Sequence, residues 1–218
     1  INDKSASQKK DYYKKLFKMN DGEPVFIAGN VHKEELETVL DAFKIAKGRI
    51  PALIMMLAPR FIKDVPHIES LFIKKGLSFI RRTRLDAQKR TDEHVILLDT
   101  MGELAGVYGI AKAAFVGGSL VYLGEMFGGH NILEPAALGV PVLFGPHMHN
   151  FQSLADLFYK RKAALRINGK EDLAEGISRL LSDSGESHRL TSNVRAILEE
   201  NKYVAERTLS AIDEGLKS

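Results

Sequence analysis

The chain has 218 residues, 44% hydrophobic and 27% charged, values of an ordinary globular protein that exclude disorder, collagen and coiled coil. Its length suits one large α/β domain or two small ones. Lys and Arg exceed Asp and Glu by three and the isoelectric point is near 8.9, too mild a surplus for a dedicated nucleic-acid binder. There is no cysteine, which rules out disulfides, a thiolate zinc site and a cysteine nucleophile. No apolar run reaches the roughly 18 residues of a membrane span. The chain opens at Ile1 with neither an initiator Met nor a signal-peptide pattern, and is expected to be a fragment of a longer protein.

Residues 1–20 carry six lysines against two aspartates. Tyr12, Tyr13, Leu16 and Phe17 make a helical apolar stripe there. This predicts a lead-in helix with a solvated lysine face, or a surface attracted to anionic lipid. From Pro24 onward, apolar runs bounded by turn residues alternate with helical patterns. Strands are expected at Pro24–Ala28, Ala52–Ala58, Leu77–Ile80, His94–Leu98, Ala113–Val116, Val140–Phe144 and Ala164–Ile167. Helices are expected at Glu34–Lys47, Ile62–Lys75, Met101–Ile110, Asn131–Leu138, Phe151–Lys160, Lys170–Leu181 and Arg189–Glu200, with Val204, Leu209, Ile212 and Leu216 on a final one. Arg81–Glu93 is polar and unpatterned, hence a loop. Strands apolar throughout, alternating with helices, imply an α/β fold with a parallel sheet covered on both faces. Such sheets bind ligands beyond the carboxyl ends of their strands.

The unusual residues lie in those positions. Gly117-Gly118-Ser119 follows a strand and suits either a phosphate or a tight turn. Gly128-Gly129-His130-Asn131 opens a helix, whose first-turn N–H groups form an anion site. Glu134, on the same face as Asn131, is suited to ribose hydroxyls, although the pair also reads as a capping box. Thr100 with Glu103 reads as a second box, and the Met101-Gly102-Glu103 turn as a contact for a base or ribose. Arg60, after Pro59 at a strand end, is suited to clamp a phosphate or carboxylate. His32 and Glu35 follow the first strand, as ligand contacts or a helix-start pair. His147 and His149 lack the spacing of a metal site. GxxxxGK[ST], GxGxxG and GxSxG patterns are absent, which argues against a nucleoside triphosphatase, a dehydrogenase and a serine hydrolase. The remaining inventory fits a nucleotide-sugar site.

Asp99–Leu104, Ala114–Val121, Gly128–Pro135 and Pro141–His147, with Pro59-Arg60 and the His32…Glu35 pair, together resemble the 3-deoxy-D-manno-octulosonic acid (Kdo) transferases of lipopolysaccharide synthesis, from about Pro24 to the C-terminus. The resemblance implies a Rossmann-like domain forming the C-terminal, donor-binding half of an inverting GT-B glycosyltransferase, with residues 21–218 as that domain and 1–20 as its lead-in helix. It implies transfer of Kdo from CMP-Kdo to a lipid A precursor, no cofactor, no metal in the binding site and no nucleic-acid partner. The membrane anchor, acceptor site and carboxylate base would lie in an N-terminal half outside this chain. The parent would then sit at the cytoplasmic face of the bacterial inner membrane, this fragment being soluble and inactive alone.

Carried over, Arg60 contacts the donor nucleotide, with His32, Gly129 and His130 nearby. Met101, Gly102 and Glu103 bound the cytidine, and Gly118 and Ser119 lie near phosphate or sugar. Asn131 reaches phosphate oxygens and Glu134 the ribose. Two departures from the family pattern stand out: Phe61 where His is usual, and a longer link, Tyr122–Phe127. Two other readings remain open, a UDP-sugar transferase or epimerase and a non-catalytic domain keeping only the fold. The last helix is expected to fray or pack on a second copy.

Overall fold

The structure, a computed structural model, describes residues 3–20 and 22–215, with side chains from residue 8 to residue 201. Seven strands form one sheet: β1 Val25–Val31, β2 Ile54–Pro59, β3 Phe79–Arg81, β4 Val95–Leu97, β5 Ala113–Val116, β6 Val142–Phe144 and β7 Leu165–Arg166. Their spatial order is β3-β4-β2-β1-β5-β6-β7, and every pairing is parallel. The helices are α1 Asp3–Leu16, α2 Leu36–Arg49, α3 Val65–Lys75, α4 Leu104–Val107, α5 Leu133–Ala137, α6 Gln152–Lys160, α7 Lys170–Ser182 and α8 Ser184–Gly215. The Rossmann-like parallel sheet expected from the alternation of apolar runs and helices is present.

Strand alternation decides which helices cover which face. Phe26, Ala28, Met55, Leu57, Val95, Leu97, Phe115 and Leu143 point to the face covered by α2, α3 and α7. Ile27, Met56, Ile96 and Ala114 point the other way, toward Phe17, Val107 and Tyr108. Farther along that second face, Val116, Val142 and Phe144 meet Ile132, Phe158 and Val194. Both faces are dry, which is why the strands read as continuous apolar runs.

Two expected helices are much shorter than their sequence patterns. Met101–Ile110 becomes α4 plus a 3-10 turn at Tyr108–Ile110, and Asn131–Leu138 becomes the five-residue α5. The first carries Gly102, Gly106 and Gly109, each costly in a helix interior. Arg81–Glu93 is irregular, as expected, but it is anchored: the Lys18 ammonium donates to the carbonyls of Leu85 (2.7 Å) and Gln88 (2.6 Å). Within it the buried Arg90 pairs with Glu23. Leu209, Ile212 and Leu216, on which the last-helix expectation rests, have side chains outside the described residues. Among the described residues no helix is long and apolar enough to cross a membrane.

Candidate functional site

The chain builds outward from β1 to β2 and β4, then crosses to the other side of β1 to place β5. The carboxyl ends of β1 and β5 therefore flank a topological switch point, where an open parallel sheet leaves a crevice. At Gly117 the two ends nearly touch. A Cβ there would lie 2.4 Å from the Asn30 carbonyl oxygen, and the Gly117 N–H donates to Gly29 at 2.8 Å. Asn30 takes a left-handed φ of 54°, and the β1–β2 register shifts between Ala28 and Val31. This local bulge re-aims the chain so that His32 and Glu35 enter the crevice.

Glu35 is fully buried. One of its oxygens accepts from the N–H groups of Ser119 (2.9 Å) and Leu120 (2.8 Å), and the other from Gly118 (2.7 Å) and His32 (3.0 Å). The glycine loop after β5 is thus an anion nest, but the chain's own carboxylate fills it. Of the two readings the sequence left open for this loop, a phosphate contact or a tight turn, the backbone N–H groups of Gly118 and Ser119 serve the second, being spent on Glu35. The Ser119 hydroxyl is committed too, donating to the Val116 carbonyl at 2.6 Å and accepting from the Gly145 N–H at 2.9 Å.

Above the nest sits a histidine pair. The Nε2 atoms of His32 and His130 are 3.0 Å apart and the rings are stacked, with centroids 5.2 Å apart. A Cβ on Gly118 would lie 3.0 Å from the His130 ring, so glycine is what lets the rings settle on this loop. Burial holds His130 at about 4, with the His32 ring and the Arg60 guanidinium adding to the effect. Burial also pushes His32 below its ordinary value. Both rings are therefore neutral near pH 7, and one Nε2 donates to the other. Arg60 directly follows β2, and its buried Nε–H has no hydrogen-bond partner among the described residues. An orphaned cationic donor beside two neutral imidazoles suits an anion.

Two aromatic rings close this side. Phe61 and Phe127 stand edge-on to His32 at 5.8 and 5.3 Å, and to each other at 6.4 Å. The two departures noted in the sequence, Phe61 and the Tyr122–Phe127 link, therefore meet at one point. They border a crevice of about 380 Å³ that His32, Lys33, Lys63 and Leu123 also line.

The Gly128–Glu134 segment is built differently from the expected helix-start anion site. The five-residue α5 begins only at Leu133, and Asn131 Oδ1 accepts from the Leu133 N–H at 3.0 Å. Asn131 thus holds the local turn, and no reciprocal bond from Glu134 completes a capping box. The glycines serve close packing: a Cβ on Gly128 would strike the His149 ring and one on Gly129 the Met148 sulfur, each at 2.3 Å. Glu134 is exposed, and its charge helps to raise the buried Tyr108 phenol.

The Met101–Glu103 turn lies after β4, two strands from β1. Met101 is 76% exposed and Gly102 takes a left-handed φ of 81°. The Glu103 carboxylate is bonded by the Thr100 hydroxyl and by Arg82 at 3.1 Å. This turn leans back toward the crevice through Leu104 and Tyr108, which both approach Gly29. The structure thus gathers His32, Arg60, Gly118 and His130 tightly, with Asn131 and Glu134 in the adjoining turn and Met101–Glu103 to one side. The sequence pattern offered Glu35 only as one of a pair. The buried nest it fills needed the fold to be visible.

No protein-family model matches the chain. It is 34% identical over 190 residues to a 3-deoxy-D-manno-octulosonic acid transferase of Haemophilus influenzae, covering 87% of this chain and 43% of the relative. It is 35% identical over 156 residues to the transferase of the same name from Aquifex aeolicus, covering 72% and 41%. The chain thus spans less than half the length of these curated relatives. Among solved structures, the C-terminal CMP-Kdo binding domain of WaaA from Acinetobacter baumannii matches with a TM-score of 0.77 and 28% identity, over 89% of this chain and 96% of that one. A glycosyltransferase from Rickettsia africae shares the fold, with a TM-score of 0.64 at 14% identity over 97% of this chain and 52% of that one. The chain is a homologue of the 3-deoxy-D-manno-octulosonic acid transferases and the counterpart of that C-terminal domain.

Proposed function

We propose that this chain is the donor-binding part of a glycosyltransferase that moves Kdo from CMP-Kdo to a lipid A precursor, inverting the anomeric centre, at the cytoplasmic face of a bacterial inner membrane. The observation that carries the reading is the match to a CMP-Kdo binding domain over 89% of this chain. It is supported by an anion-suited cluster at the sheet's switch point, where Arg60, His32 and His130 converge. In this reading the Arg60 guanidinium takes the donor phosphate and the neutral His130 donates to it. Asn131 and Glu134 lie along the phosphate and ribose, and the exposed Met101 covers the base. Glu35 excludes the phosphate from the nest by occupying it, and so sends the phosphate toward Arg60. The acceptor site and the base belong to the absent half, so this chain binds donor and transfers nothing alone.

The test is an NMR titration of the labelled chain with CMP and with UMP. Shifts confined to Arg60, His32, His130–Glu134 and Met101–Glu103, stronger with CMP, support the reading. A preference for UMP, or no response at millimolar CMP, overturns it.

A further inference from the structure

The outer edge of the sheet carries a second concavity that the donor reading leaves unused. Strand β7 is the edge strand, two positions out from β5. A groove of about 530 Å³ runs between it, the end of α6 and the junction of α7 with α8, a volume in the range of small-ligand sites. Its floor is apolar, formed by Ala164, Leu165 and Leu190. Among the described residues its walls carry five cations and a single acid.

That acid, Glu186, is already spent. Arg179 grips its carboxylate with two nitrogens, one at 2.8 Å, and Arg189 approaches at 3.5 Å, holding the carboxyl below its usual range. Lys160, Lys162 and Arg166 face the same space and take part in none of the ion pairs formed among the described residues. The Arg166 guanidinium stacks over the Tyr159 ring at 4.4 Å. Stacking fixes the guanidinium plane and leaves its N–H edge open for a bidentate acceptor. Three cations with no ion pair among the described residues, gathered around one concavity, repel each other when it is empty, and an entering anion relieves that repulsion.

We propose that this groove binds a phosphoryl polyanion, through Arg166 with Lys160 and Lys162. The phosphoryl group can come from a free phosphorylated molecule or from a lipid headgroup. The basic lead-in helix supplies an internal contrast, since Lys9 and Lys15 are exposed and lie outside this groove.

The test titrates the labelled 218-residue chain with inorganic pyrophosphate. In parallel it measures cosedimentation with phosphatidylcholine vesicles with and without phosphatidylglycerol. The expected result is a saturable set of shifts at Lys160–Arg166, Arg179 and Arg189. Arg166→Gln should weaken pyrophosphate binding about tenfold, and Lys160→Gln should weaken it in the same direction. The double variant Lys9→Gln/Lys15→Gln should leave it unchanged. Pyrophosphate saturation without vesicle binding supports a free ligand. Vesicle binding that needs phosphatidylglycerol, is competed by pyrophosphate and is lost in Arg166→Gln supports a lipid phosphate. Shifts spread evenly over all surface lysines, or unchanged affinity in Arg166→Gln and Lys160→Gln variants that keep the parent melting temperature, overturn the proposal.

Discussion

Glu35 shows how one side chain can hold a site together without facing a ligand. Four N–H donors converge on its carboxylate, and each buried donor left without an acceptor costs about 1–3 kcal/mol. Glu35→Ala should therefore lower stability by several times about 1 kcal/mol in a urea melt. Acetate at high millimolar concentration should restore part of the loss, because the emptied nest suits a small carboxylate. A melt indifferent to acetate, or a variant as stable as the parent, would contradict this account. Gly29→Ala should cost about 1–3 kcal/mol, because the new methyl would sit 2.0 Å from the Tyr108 hydroxyl and the buried ring has little room to retreat.

His130 gives a dependence on pH whose sign is fixed. Its folded value of about 4 lies below the ordinary 6.5, so between those limits the unfolded chain holds more protons. The stability tied to its neutral form is complete above about pH 6.5 and drains away as the pH falls toward 4. Urea midpoints at pH 7 and 4.5 should differ less in His130→Gln than in the parent. Saturating CMP should raise the His130 value, read from its ring proton shifts, because a phosphate beside it favours the imidazolium.

At the scale of elements, the Tyr122–Phe127 link is what most distinguishes this crevice. Its carboxyl end delivers Phe127 to His32, and the Met126 carbonyl takes a bond from the Asn150 side chain at 3.3 Å. Phe127→Ala should therefore rehydrate His32 and move its titration upward, since burial is the main force lowering it. An unchanged His32 titration would mean that Phe127 does not shield the ring.

The central strands were legible because they are buried on both faces. Ala113–Val116 agrees with its apolar run at both ends, while β2 begins two residues inside its run because Ala52 and Leu53 precede the ladder. The cluster of Arg60, His32, Gly118 and His130 was legible as separate segments after strand ends. What was not legible is which groups spend their bonds inside the protein. Asn131 bonds to Leu133, Ser119 to Val116 and Glu35 to the glycine loop, and nothing in the local sequence separates such a bond from one offered to a ligand. The α4 pattern was over-read for a different reason, since an apolar period survives in a segment that Gly102, Gly106 and Gly109 break into turns.

At the scale of the whole molecule, the chain has both faces of its sheet covered and spans less than half of its curated relatives. Under the proposed function, it should bind CMP-Kdo in calorimetry yet release no CMP and transfer no Kdo to a lipid A precursor, until the missing half is supplied. Detectable transfer by this chain alone would mean that the base lies within it.

The Glu35 carboxylate joins positions 83 to 85 residues apart, with β2, β3, β4 and β5 strung between them. Closing so long a loop is entropically uphill until the intervening strands have docked, and contacts of this span slow folding. The crevice is consequently a late product of the folding reaction. In stopped-flow refolding, nucleotide binding should emerge after helical signal and after strand burial, so that ligand capture serves as a clock for completion of the native state.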